Sequence, residues 1–299
     1  MSKEFLSICI PTRNRRVWLE RALSRLFSEL ATHHISPDVV RIHVSDNCST
    51  DDTKIMVQTY QAKYSHIDYS CHPLNLGGNA NIIHCHGIGA GRYRWVMGDD
   101  DAISTGQLVP ILNCLQRSQP ALFINSSGGY AYGFKTPALF EDYRAFARTC
   151  AKINPHALVA HSLITSNIFR SECFDGSFAR SKIETSYGHM YGLVQAMSDS
   201  AGGVYVAGRQ TITVRDSSLD PADGIWPSDM YALWRDYLNW LRTRLHLTDI
   251  DGSGIHRYIQ HALVLEFKAQ PFRAAWRYGK RLSHLQTWIS VKNMLKRSC

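Results

Sequence analysis

The chain has 299 residues, 44% hydrophobic and 11% aromatic, with 33 Lys and Arg against 25 Asp and Glu for a net charge of +8. That length and composition suit a folded protein of one large domain, alone or with an appendage, and exclude a disordered chain. The start, MSKEFLSICIPT, lacks the apolar stretch of a signal peptide, and no segment reaches the uncharged length of a membrane span, so the chain is expected to stay in the cytoplasm.

The first half alternates strand and helix signals, which predicts an α/β domain of βαβ units around a mainly parallel sheet. FLSICI reads as a strand followed by the turn PTRN, and Val17 to Leu30 as a helix with Trp18, Ala22, Arg25 and Leu26 near helical spacing. VRIHVSD is a second strand; the turn-rich NCSTDDT follows, where Ser49 or Thr50 is expected to cap a helix running to Tyr64. HIDYSCH is a third strand, NLGGNANI a glycine-rich turn opening a helix, and YRWVMG a fourth strand. Ligands of open α/β sheets bind outside the carboxyl ends of the strands, so PTRN, DNCSTDD, NLGG and GDDD are expected to line one crevice. A helix near Gly106 to Arg117, a strand ALFINSS, a helix near Asp142 to Ile153 and two short strands in Val204 to Val214 come next. From Pro227 the pattern is helical, with Tyr231, Trp234, Leu238, Leu241 and Leu245 at three- and four-residue spacing, and a further helix is expected over Gly254 to Ala269. The expected division is 1–216 and 217–299. The eight cysteines form no CxxC pair and are read as small apolar groups in a reducing compartment, and His84, Cys85 and His86, being sequence neighbours, do not read as a zinc site.

The stretch YRWVMGDDDAIS ends a buried strand on three consecutive carboxylates. Like charges near a buried strand end repel strongly, so something positive should sit beside them. A helix N-terminus explains one Asp at such a place, but not three. A divalent cation held by hard oxygen ligands explains all three, and Mg²⁺ or Mn²⁺ usually shares its shell with substrate phosphates.

SICIPTRNR, VSDNCSTDDT, NLGGNAN and GRYRWVMGDDD occur in the order and spacing of family 2 glycosyltransferases, which the chain resembles over residues 5 to 215. SNIFR and YGHMY are similar to that family's abequosyltransferase-like branch, whose bacterial members serve O-antigen assembly. The resemblance implies a GT-A fold, Rossmann-like, with a helical C-terminal extension, and a nucleotide-sugar donor. It implies that Asp101 is the direct metal ligand, that Asp99 contacts the ribose or a metal-bound water, and that Asp100 is a second ligand; the metal is Mn²⁺ or Mg²⁺. Asp46 matches the acid that reads base or ribose, with helix capping as the alternative. Pro11, Thr12 and Arg13 match the turn that meets the nucleotide, although Arg13 also suits a plain surface charge. Gly77 and Gly78 let backbone approach the ligand, or simply make a turn. Asn81 occupies the family's asparagine position, but Ala80 stands where an arginine is common, which leaves the donor phosphates one cation short. Arg215, ending ITVRDSS, is a candidate to supply it or to pair with Asp216.

The family's Glu-Asp pair below the acceptor is missing from SKIETSYGHMYGL. Glu184 and His189 are the groups there able to take the acceptor's hydroxyl proton; His189 also suits a metal shell or a core histidine. After Glu266 the chain carries eight Lys and Arg and no acid, so residues 1–266 hold 25 of each sign and the tail holds all the excess charge. Residues 273–297 combine Trp276, Trp288 and leucines with those bases, which suits either contact with an anionic membrane surface or a helix packed on the domain. Nucleic acid is not expected as a partner, since no recognition module is present. The expected activity is transfer of a hexosyl or deoxyhexosyl group to an oligosaccharide or lipid-linked acceptor in surface polysaccharide synthesis. The alternatives are a sugar-phosphate nucleotidyltransferase, which PTRN does not fit, and a non-catalytic assembly protein that kept the fold.

Overall fold

The structure is a computed structural model that describes residues 4–127, 134, 136–153, 157–185, 187–199, 202–214 and 230–247. The first half follows the expected alternation: β1 Leu6–Thr12, α1 Arg16–Thr32, β2 Val40–Asp46, α2 Thr53–Gln61, β3 Ile67–Cys71, α3 Gly78–Cys85 and β4 Tyr93–Val96. These strands pair in parallel, Leu6 opposite both Val40 and Tyr93, and Ile42 opposite Ile67. Parallel strands are covered on both faces, which is why β1 reads as an almost unbroken apolar run and is buried nearly throughout.

The second half is more irregular. β5 Ala102–Ile103, α4 Leu108–Arg117, β6 Leu122–Ile124, β7 Ala138–Phe140, α5 Tyr143–Ile153 and α6 Ala157–Ala160 lead to a 3₁₀ turn, Ile164–Ser166. After it come β8 Asn167–Arg170, α7 Gly176–Ser181, α8 Gly188–Asp199, β9 Val204–Val206, β10 Ile212–Thr213 and α9 Met230–Arg244. The main sheet has the order β3-β2-β1-β4-β8-β6-β9-β7, with β8 antiparallel to both β4 and β6, while β10 and β5 form a separate antiparallel pair. The chain leaves β1 toward β2 and β3 but returns to put β4 on the other side of β1, so the order reverses between β1 and β4. That reversal opens a crevice at their carboxyl ends.

On α1 the buried face is Leu19, Ala22, Leu23, Leu26, Phe27 and Leu30; Arg25, expected near that face, is exposed. Glu29 is buried because its carboxylate accepts from the Gly106 and Leu108 amides at 2.7 and 3.3 Å, closing the start of α4. Ser49 and Thr50 do not cap α2. The helix begins at Thr53, and Asp51 accepts from the Thr53 amide and hydroxyl at 3.1 and 2.6 Å. In the segment expected as a helical extension, α9 buries Tyr237, Leu238 and Leu241 in one cluster with α5, α8, β6 and β9. The segments holding the expected helix over 254–269, Arg215 and the basic stretch 273–297 lie outside the described residues. Among the described cysteines, Cys9, Cys85, Cys150 and Cys173 are buried as expected, and Cys71 is exposed. His84 is exposed while His86 stacks on Phe169 and Phe174, so the His-Cys-His run converges on nothing.

Candidate functional site

Each parallel strand ends in a polar turn, and hydrogen bonds stitch those turns together. The Asn14 amide donates to Ser49 Oγ at 2.9 Å and the Thr50 amide to Asn14 Oδ1 at 2.7 Å, joining the first turn to the second. Buried Asn47 joins the second to the glycine-rich third: its Nδ2 donates to Asn75 Oδ1 at 2.9 Å, and its Oδ1 accepts from the Leu76 amide at 2.8 Å. Thr12 and Asp99 close the ring across the β1/β4 reversal, hydroxyl to Oδ2 at 2.7 Å.

The three carboxylates do not point at one spot. Asp99 faces Thr12 and Arg15, whose Nε lies 3.4 Å from Asp99 Oδ1. Asp100 meets the other end of the same guanidinium, Arg15 Nη2 to Oδ2 at 2.5 Å. Asp101 turns inward and accepts from Thr165 Oγ1, whose own oxygen accepts from the Gly98 amide at 2.8 Å. Burial pushes the Asp99 carboxyl up to about 7, with Asp100 and Asp101 adding repulsion while Arg15 and Thr12 pull the other way. The crowding inferred from three adjacent acids is therefore present, and a guanidinium from the first turn offsets part of it.

The remaining expected residues divide. Gly77 has φ +86°, a left-handed conformation that favours glycine, and a side chain at either Gly77 or Gly78 would meet nothing within 4 Å, so open space lies beside the start of α3. Half-buried Pro11 lies at the end of β1 and exposed Arg13 in the turn after it. Asp46 is buried at 1% exposure and its contacts are internal: the Ser49 amide donates to Oδ1 at 2.8 Å and Tyr69 Oη to Oδ2 at 2.6 Å. Asn81 is enclosed at the start of α3. It is 2% exposed, and both ends of its amide bond Ser45, Oδ1 accepting from Oγ at 2.6 Å and Nδ2 donating to the carbonyl at 3.0 Å. It braces α3 against β2.

Of the roles open to His189, its surroundings match the core histidine. Its ring is 5% exposed, packed near His86 and Tyr187, and its Nε2 lies 2.8 Å from the Ser162 carbonyl, which only accepts; that nitrogen therefore carries the proton. Burial lowers its basicity to a pKa of about 4. A group so placed is a core histidine, and among the described residues no three His, Cys, Asp or Glu gather into a metal cluster that includes it. Glu184 is exposed on the turn before α8, and that turn is tied to α3 where Asn79 Nδ2 donates to the Ile183 carbonyl at 3.0 Å.

The residues around Asp99 to Asp101 offer only hard oxygen donors, the set that suits Mg²⁺ or Mn²⁺. Carboxylates of this kind hold such a cation together with phosphate and water; among the described residues no three His, Cys, Asp or Glu gather into a metal cluster. Three site residues were not singled out in the sequence. Arg15 is one of three arginines in RNRR, and only the backbone path decides which one faces the acids. Asn47 was visible within DNCST. Thr165 lies 64 residues beyond Asp101, with no local signal.

Comparison with known proteins agrees with this geometry. Abequosyltransferase RfbV of Salmonella typhimurium strain LT2 is 32% identical over 120 residues, which make up 40% of this chain and 34% of that protein, so the match spans about a third of the relative's length. S. aureus TarS 1-349 superposes with a TM-score of 0.56 at 15% identity, covering 96% of this chain and 78% of that one. The mannosyltransferase PcManGT from Pyrobaculum calidifontis, in complex with GDP-Man and Mn²⁺, superposes with a TM-score of 0.51 at 12% identity, covering 97% and 84%. At such identities the likeness establishes the fold, GT-A, and nothing finer. The profile of Glycosyl transferase family 2 matches residues 7–164, more than half of the chain, from the first strand through the three carboxylates. The chain belongs to glycosyl transferase family 2.

Proposed function

We propose that the protein is a divalent-cation-dependent glycosyltransferase that moves a sugar from a nucleoside-diphosphate donor to an oligosaccharide or lipid-linked acceptor in bacterial surface polysaccharide synthesis. The observation that carries this reading is the carboxylate group Asp99 to Asp101, set at the sheet's reversal point by Thr12, Arg15 and Thr165. The likeness to RfbV supports the O-antigen setting, and TarS structures described with UDP and with UDP-GlcNAc support a nucleotide-sugar donor.

In this reading Asp101 and Asp99 hold Mn²⁺ or Mg²⁺, which when bound offsets the charge that develops on the leaving diphosphate. Thr12 keeps Asp99 oriented, and the open side of the Gly77–Gly78 turn admits the donor. Asp46 keeps a second lone pair on each oxygen for base or ribose. Glu184 takes the proton of the acceptor hydroxyl as that oxygen bonds the anomeric carbon and the nucleoside diphosphate departs. The basic stretch 273–297 rests on anionic lipid where the acceptor is carried. Among the described residues no helix is long and apolar enough to cross a membrane.

The test is a thermal-shift or calorimetric panel of UDP, GDP, CDP and dTDP, each with and without Mn²⁺, on the wild type and on Asp101→Ala. The expected result is one nucleotide that stabilises the wild type only with metal and loses that dependence in the variant. Well-folded protein that binds none of the four at any metal concentration would sink the donor reading and leave a fold kept for a non-catalytic role.

A further inference from the structure

The four strand-end turns differ sharply in charge. Residues 46–52, 72–81 and 98–101 contain no Lys or Arg, whereas the first turn and its helix start contain Arg13, Arg15 and Arg16. Arg16 pairs with Glu20 along α1 at 3.3 Å, and Arg13 is exposed. Arg15 alone of the three reaches the acids, one guanidinium spanning Asp99 and Asp100. Its backbone is fixed, since the Arg15 carbonyl accepts from the Trp18 and Leu19 amides at 3.0 Å each and starts α1. Its side chain is 28% exposed, so the head group can turn while the stem stays anchored.

Those contacts compete with other uses of the site. A guanidinium beside Asp99 and Asp100 repels a cation that these carboxylates would attract. A diphosphate entering beside the same acids needs positive charge near its oxygens. The planar fork of Arg matches carboxylate and phosphate equally well. We propose that Arg15 is a transferable counter-ion: it balances Asp99 and Asp100 in the free protein, then releases them and re-pairs with the donor's diphosphate oxygens. The proposal rests on the crevice being the donor site, and gives the donor phosphates a guanidinium from the first turn where α3 offers none.

The test measures two affinities that this role moves in opposite directions. Mn²⁺ alone is titrated by electron paramagnetic resonance, and binding of inorganic pyrophosphate and of UDP, GDP, CDP and dTDP with Mn²⁺ is measured by calorimetry. Wild type, Arg15→Gln and Arg15→Lys are compared. In Arg15→Gln, Mn²⁺ alone is expected to bind several-fold more tightly, because a competitor for the carboxylates is gone, while Mn²⁺-pyrophosphate binds about tenfold more weakly or worse. Arg15→Lys should fall between. If Mn²⁺ and pyrophosphate weaken together in Arg15→Gln, or neither changes, Arg15 is a structural brace and the proposal is overturned. If the wild type binds Mn²⁺-pyrophosphate with the expected Arg15 effects but none of the nucleotides, the donor reading fails while the counter-ion role stands. If the wild type binds neither, both fall.

Discussion

Residues 4–101 and the half that follows build their interiors from different materials. The first packs aliphatic side chains such as Leu6, Ile8, Ile10, Val40 and Ile42 between parallel strands of up to seven residues, and keeps most of its polar chemistry at the strand ends. The second uses strands of two to four residues and a core rich in rings: Tyr143, Phe146, Tyr187, Tyr191 and Tyr237, with His161 and His189 buried among them. Polar groups at a rim can meet ligand and water. Polar groups inside need a partner in the chain, and the two histidines have one: Tyr143 Oη lies 2.8 Å from His161 Nε2, and His189 holds the Ser162 carbonyl.

Acid should give the largest effect, acting on buried histidines of both regions, His86 in the first and His161 and His189 in the second. Burial depresses His86 to a pKa of about 3, with His189 adding repulsion, and depresses His161 and His189 to about 4, all from 6.5. The unfolded chain takes up these protons as pH falls below 6.5, while the folded chain does not until near 4, so their stability is present above 6.5 and lost across that window. Each histidine costs about 2 kcal/mol at pH 5 on this linkage. Asp99 has the opposite sign: raised from 3.8 to about 7, it binds its proton in the folded state first, and its contribution, full below 3.8, is lost as pH rises through 7. Denaturant unfolding at pH 7 and pH 5 should show a net loss of several kcal/mol at pH 5, since three groups oppose one. Asp99→Asn should enlarge that loss. A flat profile would mean that the histidines are not the neutral, enclosed groups seen here.

Thr165 joins the regions. It is fully buried in the 3₁₀ turn of the second, its hydroxyl links the Gly98 amide to Asp101, and its carbonyl accepts from Trp95 Nε1 at 2.8 Å. Thr165→Val keeps the shape but leaves a buried amide and a carboxylate oxygen without that partner, a cost of about 2 kcal/mol. Urea unfolding should show that loss, and the nucleotide panel should show weaker metal dependence. Unchanged metal dependence at reduced stability would mean that Thr165 supports the fold without holding Asp101.

The same contrast explains what the sequence made legible. β1 to β4 announce themselves because parallel strands need continuous apolar runs, and the acids announce themselves because three charges at a buried strand end require an explanation. Contacts made across long separations do not announce themselves: Arg15 to Asp100, Thr165 to Asp101 and Glu29 to the start of α4 are each fixed by tertiary approach. His189 left three roles open for a related reason. A histidine beside a helix start looks the same in sequence whether it faces a crevice or Ser162, and burial alone decides its basicity. Asn81 stood at the right place in a motif while its amide served β2.

The smallest change able to probe the comparison is one methyl group at a glycine in each region. A Cβ on Gly192, where α8 crosses α7, would lie 2.7 Å from the Asp175 carbonyl oxygen and 2.7 Å from Ala179 Cβ, so backbone would have to move. Gly192→Ala should therefore destabilise by about 1–3 kcal/mol, as overpacking does, with nucleotide affinity unchanged in the folded fraction. A Cβ on Gly98 would lie 2.9 Å from Asp101 Oδ2 and 3.2 Å from Asp100 Oδ1, the tips of side chains that can shift. Gly98→Ala should destabilise by no more than about 2 kcal/mol, the loss of the Thr165 contact, less the lower entropy of the unfolded alanine chain, about 0.4–1 kcal/mol. Asp101 Oδ2 belongs to a carboxylate proposed to hold the cation, so metal-dependent nucleotide binding should weaken by about tenfold, which corresponds to about 1.4 kcal/mol. If instead Gly98→Ala unfolds the protein and leaves binding intact, the carboxylates belong to the core and the rim is not where this protein keeps its chemistry.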